Sequence, residues 1–171
     1  YSDETIAWLD ETLSAITTQN PSKAVFIASH ARVKNTILPS TSAASSDLMP
    51  VLTKYPQVII WGGHEHSLLN RELSIWQGGK GTFTAVDTGV VQYGYAKYFS
   101  LYANTLPENG QGFLGYSGAE YRNLSQGQYV EVDASGNVRI NRIDFYNSDL
   151  ENGDIKIIGE PWIISNISHD G

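Results

Sequence analysis

Three of the four histidines in this chain directly follow short apolar runs. His30 ends Val25-Phe26-Ile27-Ala28-Ser29-His30, and the run Val58-Ile59-Ile60-Trp61 leads through Gly62-Gly63 into His64-Glu65-His66. A strand end is rigid, so imidazoles placed there are aimed by fixed backbone, and neutral imidazole is a common ligand for divalent metals. A lone His-x-His is more often the polar tip of a loop than a ligand pair. Two separate strand–histidine junctions in one short stretch favour metal ligation. His169, in a polar C-terminal segment, reads as a solvated residue.

These junctions need elements to hold them. Ile6, Leu9, Leu13 and Ile16 recur at helical spacing, Ser2 suits an N-cap, and Asp3 and Glu4 favour the positive end of the helix dipole. Asn20-Pro21 ends that helix. Ala24 to Ala28 is apolar without alternation, which predicts a strand covered on both faces. A long polar connection, Arg32 to Ser46, follows. A short helix is expected over Asp47 to Tyr55, with Ser46 as its cap and Pro50 in the first turn. Val58 to Trp61 is then a second buried strand. Helix, strand, loop, helix, strand is the order of an α/β layer whose working loops leave the C-terminal strand ends.

Beyond residue 66 the pattern turns to β. Leu73 to Trp76 and Thr82 to Val91 predict a hairpin around a glycine-rich turn. Tyr129 to Asp133 and Val138 to Phe145 predict another around Ala134-Ser135-Gly136-Asn137. Ile155 to Ile158 and Trp162 to Ile164 supply further short strands. Residues 103–128, rich in Gly, Asn, Gln and Tyr, read as a long loop. No linker or internal repeat divides residues 1–171, which read as one domain.

Bulk properties narrow the function. The 171 residues are 41% hydrophobic and 17% charged, enough for one substantial core. The net charge of −7, with 11 Lys and Arg against 18 Asp and Glu and no basic run, argues against nucleic acid or anionic membrane as partner. No apolar stretch reaches membrane-spanning length. The absence of cysteine removes disulfides and thiolate metal sites. Together with abundant Ser, Thr and Asn it is compatible with a secreted or cell-surface bacterial protein.

Taken in order, the motifs resemble the C-terminal half of the calcineurin-like metallophosphoesterase catalytic domain. In that family a strand ending in a lone metal-binding His precedes a helix and a strand ending in Gly-His-x-His; here these are Ala28-Ser29-His30 and Gly62-Gly63-His64-Glu65-His66. The helix around Trp8-Leu9-Asp10-Glu11-Thr12-Leu13 and the hairpin from Ser74-Ile75-Trp76 to Asp87-Thr88-Gly89 also look like family elements. The resemblance covers residues 2–92 well and the remainder loosely. It implies an α+β fold, the C-terminal half of a four-layer α/β/β/α sandwich, with two helices near the N-terminus followed by mostly antiparallel β. It also implies a dinuclear centre of divalent transition metals (Mn, Fe, Zn, Co or Ni) that hydrolyses phosphate esters. By the same resemblance His30 and His64 bind one ion and His66 the other. The family's Asp-x-His, Gly-Asp and Asn-His-Glu/Asp motifs would precede Tyr1, so no catalytic residue is expected in this chain. The N-terminal half of the domain is then its partner, and the isolated chain should hold metal weakly and be inactive or nearly so.

Arg32, Lys34 and Asn35 follow His30 and are candidates to face a substrate phosphate, Arg32 and Asn35 foremost. Glu65 is a candidate to orient an imidazole. The tyrosines at 93, 95, 98, 102, 116 and 121 suit a stacking surface or, more commonly, strand packing. Other readings explain less. Asp87-Thr88-Gly89 matches an aspartic-protease loop but occurs once and leaves the histidines idle. His64-Glu65-His66 with Glu72 partly resembles a cupin motif, yet an all-β fold conflicts with two helices. A non-catalytic module binding glycan or protein through its Tyr- and Trp-rich β half is the main alternative.

Overall fold

A computed structural model describes residues 1–37, 45–64, 68–70, 72–79, 81–91 and 125–165. The chain opens with helix α1 (Asp3–Gln19), whose N-cap Ser2 accepts a hydrogen bond from the Thr5 amide at 3.2 Å. Leu13 is buried as its spacing predicts, but Ile16 remains 38% exposed. The position after it, Thr17, is buried instead, and its hydroxyl donates to the Leu13 carbonyl at 2.8 Å.

Strand β1 (Val25–Ser29) follows, then the short helix α2 (Met49–Leu52) and strand β2 (Val58–Gly62). β1 and β2 pair in parallel, Val25 with Val58 through Ser29 with Gly62. α2 is shorter than its sequence suggests. Pro50 lies in its first turn, but Ser46 does not cap it, because the Ser46 hydroxyl donates to Asp47. Strands β3 (Ile75–Gln77) and β4 (Thr84–Asp87) form the expected hairpin, with Glu72–Ser74 as a 3-10 turn rather than strand. β4 inserts beside β2 in parallel, giving the order β1-β2-β4-β3.

A second sheet is built from β5 (Gln126–Val132), β6 (Val138–Asp149), β7 (Asp154–Ile157) and β8 (Trp162–Ile164), all antiparallel around β6. The β5–β6 turn is tied by Asp133, which accepts from the amides of Ser135 and Asn137, with Gly136 at φ 83° where a side chain would be strained. Residues 126–128, expected in a loop, are the start of β5.

The alternation of β2 divides the core in two. Val58 and Ile60 face Leu13, Val51, Leu52, Tyr55 and Phe83 under the helices. Ile59 faces Val86, Val138, Ile140, Trp162 and Ile164 between the sheets. The molecule is thus α+β, a helix layer and two sheets. β1 corrects one expectation: its face toward the second sheet is only partly covered, and Phe26 is 49% exposed while stacking edge-on to Trp61 at 5.5 Å. Among the described residues β1 ends its sheet, so its apolar run does not mark a central strand. No described helix is long and apolar enough to cross a membrane.

Helix α1 is fastened to the α2 segment by one polar cluster. The Tyr55 hydroxyl donates to Asp10 Oδ1 at 2.5 Å, and Lys54 Nζ bonds Asp10 Oδ2 at 2.6 Å. Burial, then the hydrogen bond to Asp10 and its charge, push the Tyr55 phenol up to about 12. A pKa raised on folding contributes stability that is complete below the ordinary tyrosine value near 10 and is lost as pH rises through 12. Unfolding free energy is therefore expected to drop by roughly 1–3 kcal/mol more across that window in the native chain than in Tyr55→Phe, measured by urea denaturation.

Candidate metal site at two parallel strand ends

Because Ser29 and Gly62 are register partners, the residues that follow them emerge side by side. His30 Nε2 and His64 Nδ1 lie 2.9 Å apart, with ring planes at 83° and centroids at 5.0 Å. At this distance the two rings share a hydrogen bond, the N–H of one donating to the bare nitrogen of the other. Ligands on one tetrahedral zinc ion would stand roughly 3.3 Å apart, close to this separation. Both side chains are solvent-exposed, which leaves a path for an ion.

The backbone here is tightly placed. Gly63 donates its amide to the His30 carbonyl at 3.1 Å, and the Thr88 amide donates to the Gly62 carbonyl at 3.2 Å. Gly62 is required: a Cβ there would stand 2.8 Å from Arg32 Cα. His64 itself adopts φ 78°, a left-handed conformation that costs a non-glycine residue about 1–2 kcal/mol. Strain of this kind, held in place by neighbours, concentrates at functional sites.

The structure brings His30 and His64 together; Glu65 and His66 lie outside the described residues, as do Arg71, His169 and the tyrosines from 93 to 121. Among the described residues no group of three or more His, Asp or Glu converges. The observed donor set is therefore a histidine pair, which fits a divalent transition metal and requires further ligands. Arg32 does not reach into open solvent where a phosphate would approach. It is buried against Gly62 and donates from Nη1 to the Ile37 carbonyl at 3.1 Å, fastening the loop that follows His30. That loop is also held by paired backbone bonds between residues 32–34 and Ser45. Asn35 is exposed at its tip with φ 64°, a conformation asparagine tolerates. Lys34 is exposed beside it.

Asp87, at the end of β4 on the same edge, is buried, and its Oδ1 accepts the Gly89 amide at 2.8 Å. That bond shapes the turn after β4. The side chains that sequence reasoning missed come from the second sheet. Gln128 accepts from Trp61 Nε1 and donates to the Asp87 carbonyl, both at 2.6 Å. Gln126 accepts the Leu69 amide at 2.8 Å, and Arg142 Nη1 donates to the Leu69 carbonyl at 2.9 Å. Burial pushes the Arg142 guanidinium below its ordinary value, opposed by the charge of Glu72. Polar residues opening a strand carry no alternation signal, so only composition was available to mark them.

Compared with known proteins, the chain matches no family model, no curated protein and no solved structure.

Gly62→Ala is expected to cost about 1–3 kcal/mol of stability, because the loop backbone at Arg32 must retreat; chemical denaturation measures it. His64→Gly should instead stabilise the chain by about 1 kcal/mol through relief of the left-handed backbone. An unchanged or lower melting temperature for His64→Gly would show that the conformation carries no strain.

Proposed function

We propose that this chain supplies the histidine ligands of a metal-dependent phosphoesterase, as the C-terminal part of a calcineurin-like catalytic domain. The observation that carries the reading is the 2.9 Å approach of His30 and His64 from the ends of two paired parallel strands. In this reading His30 and His64 hold one divalent ion and His66 contributes to a second. The helix layer and two sheets then correspond to part of an α/β/β/α sandwich, completed by the N-terminal half of the domain. Such a metal centre would polarise a phosphate ester as a Lewis acid and activate water for attack on it. Neutral imidazoles do not balance the charge of two dications, so such a centre would need a bridging carboxylate and an acid–base group beside them. The role of this chain's own residues is to bind and orient. Asn35 and Lys34, exposed in the loop that follows His30, would then meet a phosphate ester, while Arg32 holds their loop.

Titration of the chain with Mn2+ or Zn2+, followed through the histidine ring signals by NMR, tests the reading. His30→Ala and His64→Ala should each weaken binding by at least about tenfold. The chain alone should hydrolyse p-nitrophenyl phosphate no faster than the metal ion in buffer. Native metal uptake in the double variant would refute the site, and enzyme-like turnover by the chain alone would refute its incompleteness. Glycan binding that survives chelation would favour a non-catalytic module.

A further inference from the structure

Where a strand ends the backbone leaves its ladder, and its polar groups must find other partners. At the end of β1, four successive carbonyls are taken. Those of Ser29 and His30 share the Gly63 amide, at 3.3 and 3.1 Å, and that of Arg32 accepts the Ser45 amide at 2.8 Å. The Ala31 carbonyl accepts instead from a side chain, the Ser29 hydroxyl, at 2.9 Å.

The Ser29 bond spans His30. It ties the residue before the imidazole to the peptide after it, a local closure that serine hydroxyls make readily. A hydroxyl has one proton, and this one goes to Ala31. The 2.7 Å bond between the Tyr1 hydroxyl and Ser29 Oγ therefore runs from phenol to serine, and it leaves the serine proton aimed at the carbonyl. Among the described residues, the Ser29 bond alone holds this row of carbonyls through a side chain, so a substitution there loosens the His30 turn and spares the backbone pairing of β1 with β2. The His30 ring beyond it stands 2.9 Å from that of His64. Ligand pairs work when held to roughly 0.5 Å and 10–20°, a tolerance that rotation of the peptides beside His30 would exceed.

We propose that Ser29, oriented by Tyr1, is a positioning residue for the His30–His64 pair: its hydroxyl closes the turn around His30 and holds that imidazole against its neighbour. The proposal rests on the reading of these two histidines as ligands of one ion. Groups that orient a ligand typically change metal affinity by about 10–100-fold when removed. The test is a Zn2+ titration of the full chain by NMR, read on the ring signals of His30 and His64, with folding checked by circular dichroism. Ser29→Ala should weaken Zn2+ binding about tenfold, and should shift the ring nitrogen signals of both histidines before any metal is added. Ser29→Thr keeps the hydroxyl and should restore both readouts. Tyr1→Phe should show a smaller loss in the same direction. Ile140→Val trims the core between the sheets without touching the turn and should bind as the native chain does.

Zn2+ binding by Ser29→Ala equal to that of Ile140→Val, while His30→Ala and His64→Ala lose binding, would overturn the positioning role and leave the metal site standing. An equal loss in Ser29→Thr and Ser29→Ala would do the same. Unchanged Zn2+ uptake in the histidine variants would overturn both.

Discussion

The parallel pairing of β1 with β2 is the constraint from which the rest of the arrangement follows. Parallel strands require a crossover, and here residues 30–57 supply it, carrying α2 and the loop fastened by Arg32. The pairing register puts Ser29 opposite Gly62, so the first residues beyond each strand leave from one edge, close enough for two imidazole nitrogens to touch. A slip of one residue would reverse every side chain of β2 between its two cores and carry His64 away from His30. Burial of Val58, Ile59 and Ile60 on alternate faces opposes that slip. Packing in the middle of the sheet therefore sets geometry at its edge.

Around that pairing the polar groups take two kinds of task. Some close local ends, as Ser2 does for α1 and Asp133 for the β5–β6 turn. Others span the layers. Gln57 is buried where β2 begins and donates to the carbonyls of Asn20 and Lys23, which pins the α1–β1 connection. Gln126, Gln128 and Arg142 do the same at the opposite end, on the backbone of Leu69 and Asp87. The central strand is thus held at both ends by side-chain amides and through its middle by aliphatic contacts.

Much of this was legible in the residues. The cap at Ser2, the apolar runs at 25–28 and 58–61, the turn chemistry of Asp133 and Gly136, and both strand–histidine junctions are local signals, and local signals survive in sequence. What was illegible depends on partners distant in the chain. The apolar composition of β1 does not reveal that it lies at a sheet edge with Phe26 exposed. The burial of Arg32 follows from its contact with Gly62, and the role of Gln126 from its bond to Leu69, across 57 residues. A polar residue beside a candidate site reads as a substrate contact until the fold shows which backbone carbonyl it serves.

The two rings that touch are separated by 34 residues of chain, yet they meet edge to edge at the surface. Nothing local keeps them close, so in the unfolded ensemble they are far apart on average, and closing such a loop costs entropy that grows with the logarithm of its length. A cation held by both imidazoles, as proposed, would act as a reversible cross-link on that loop and favour the folded chain. In the proposed reading that ion would also staple β1 to β2, and a chelating agent would then act on the fold.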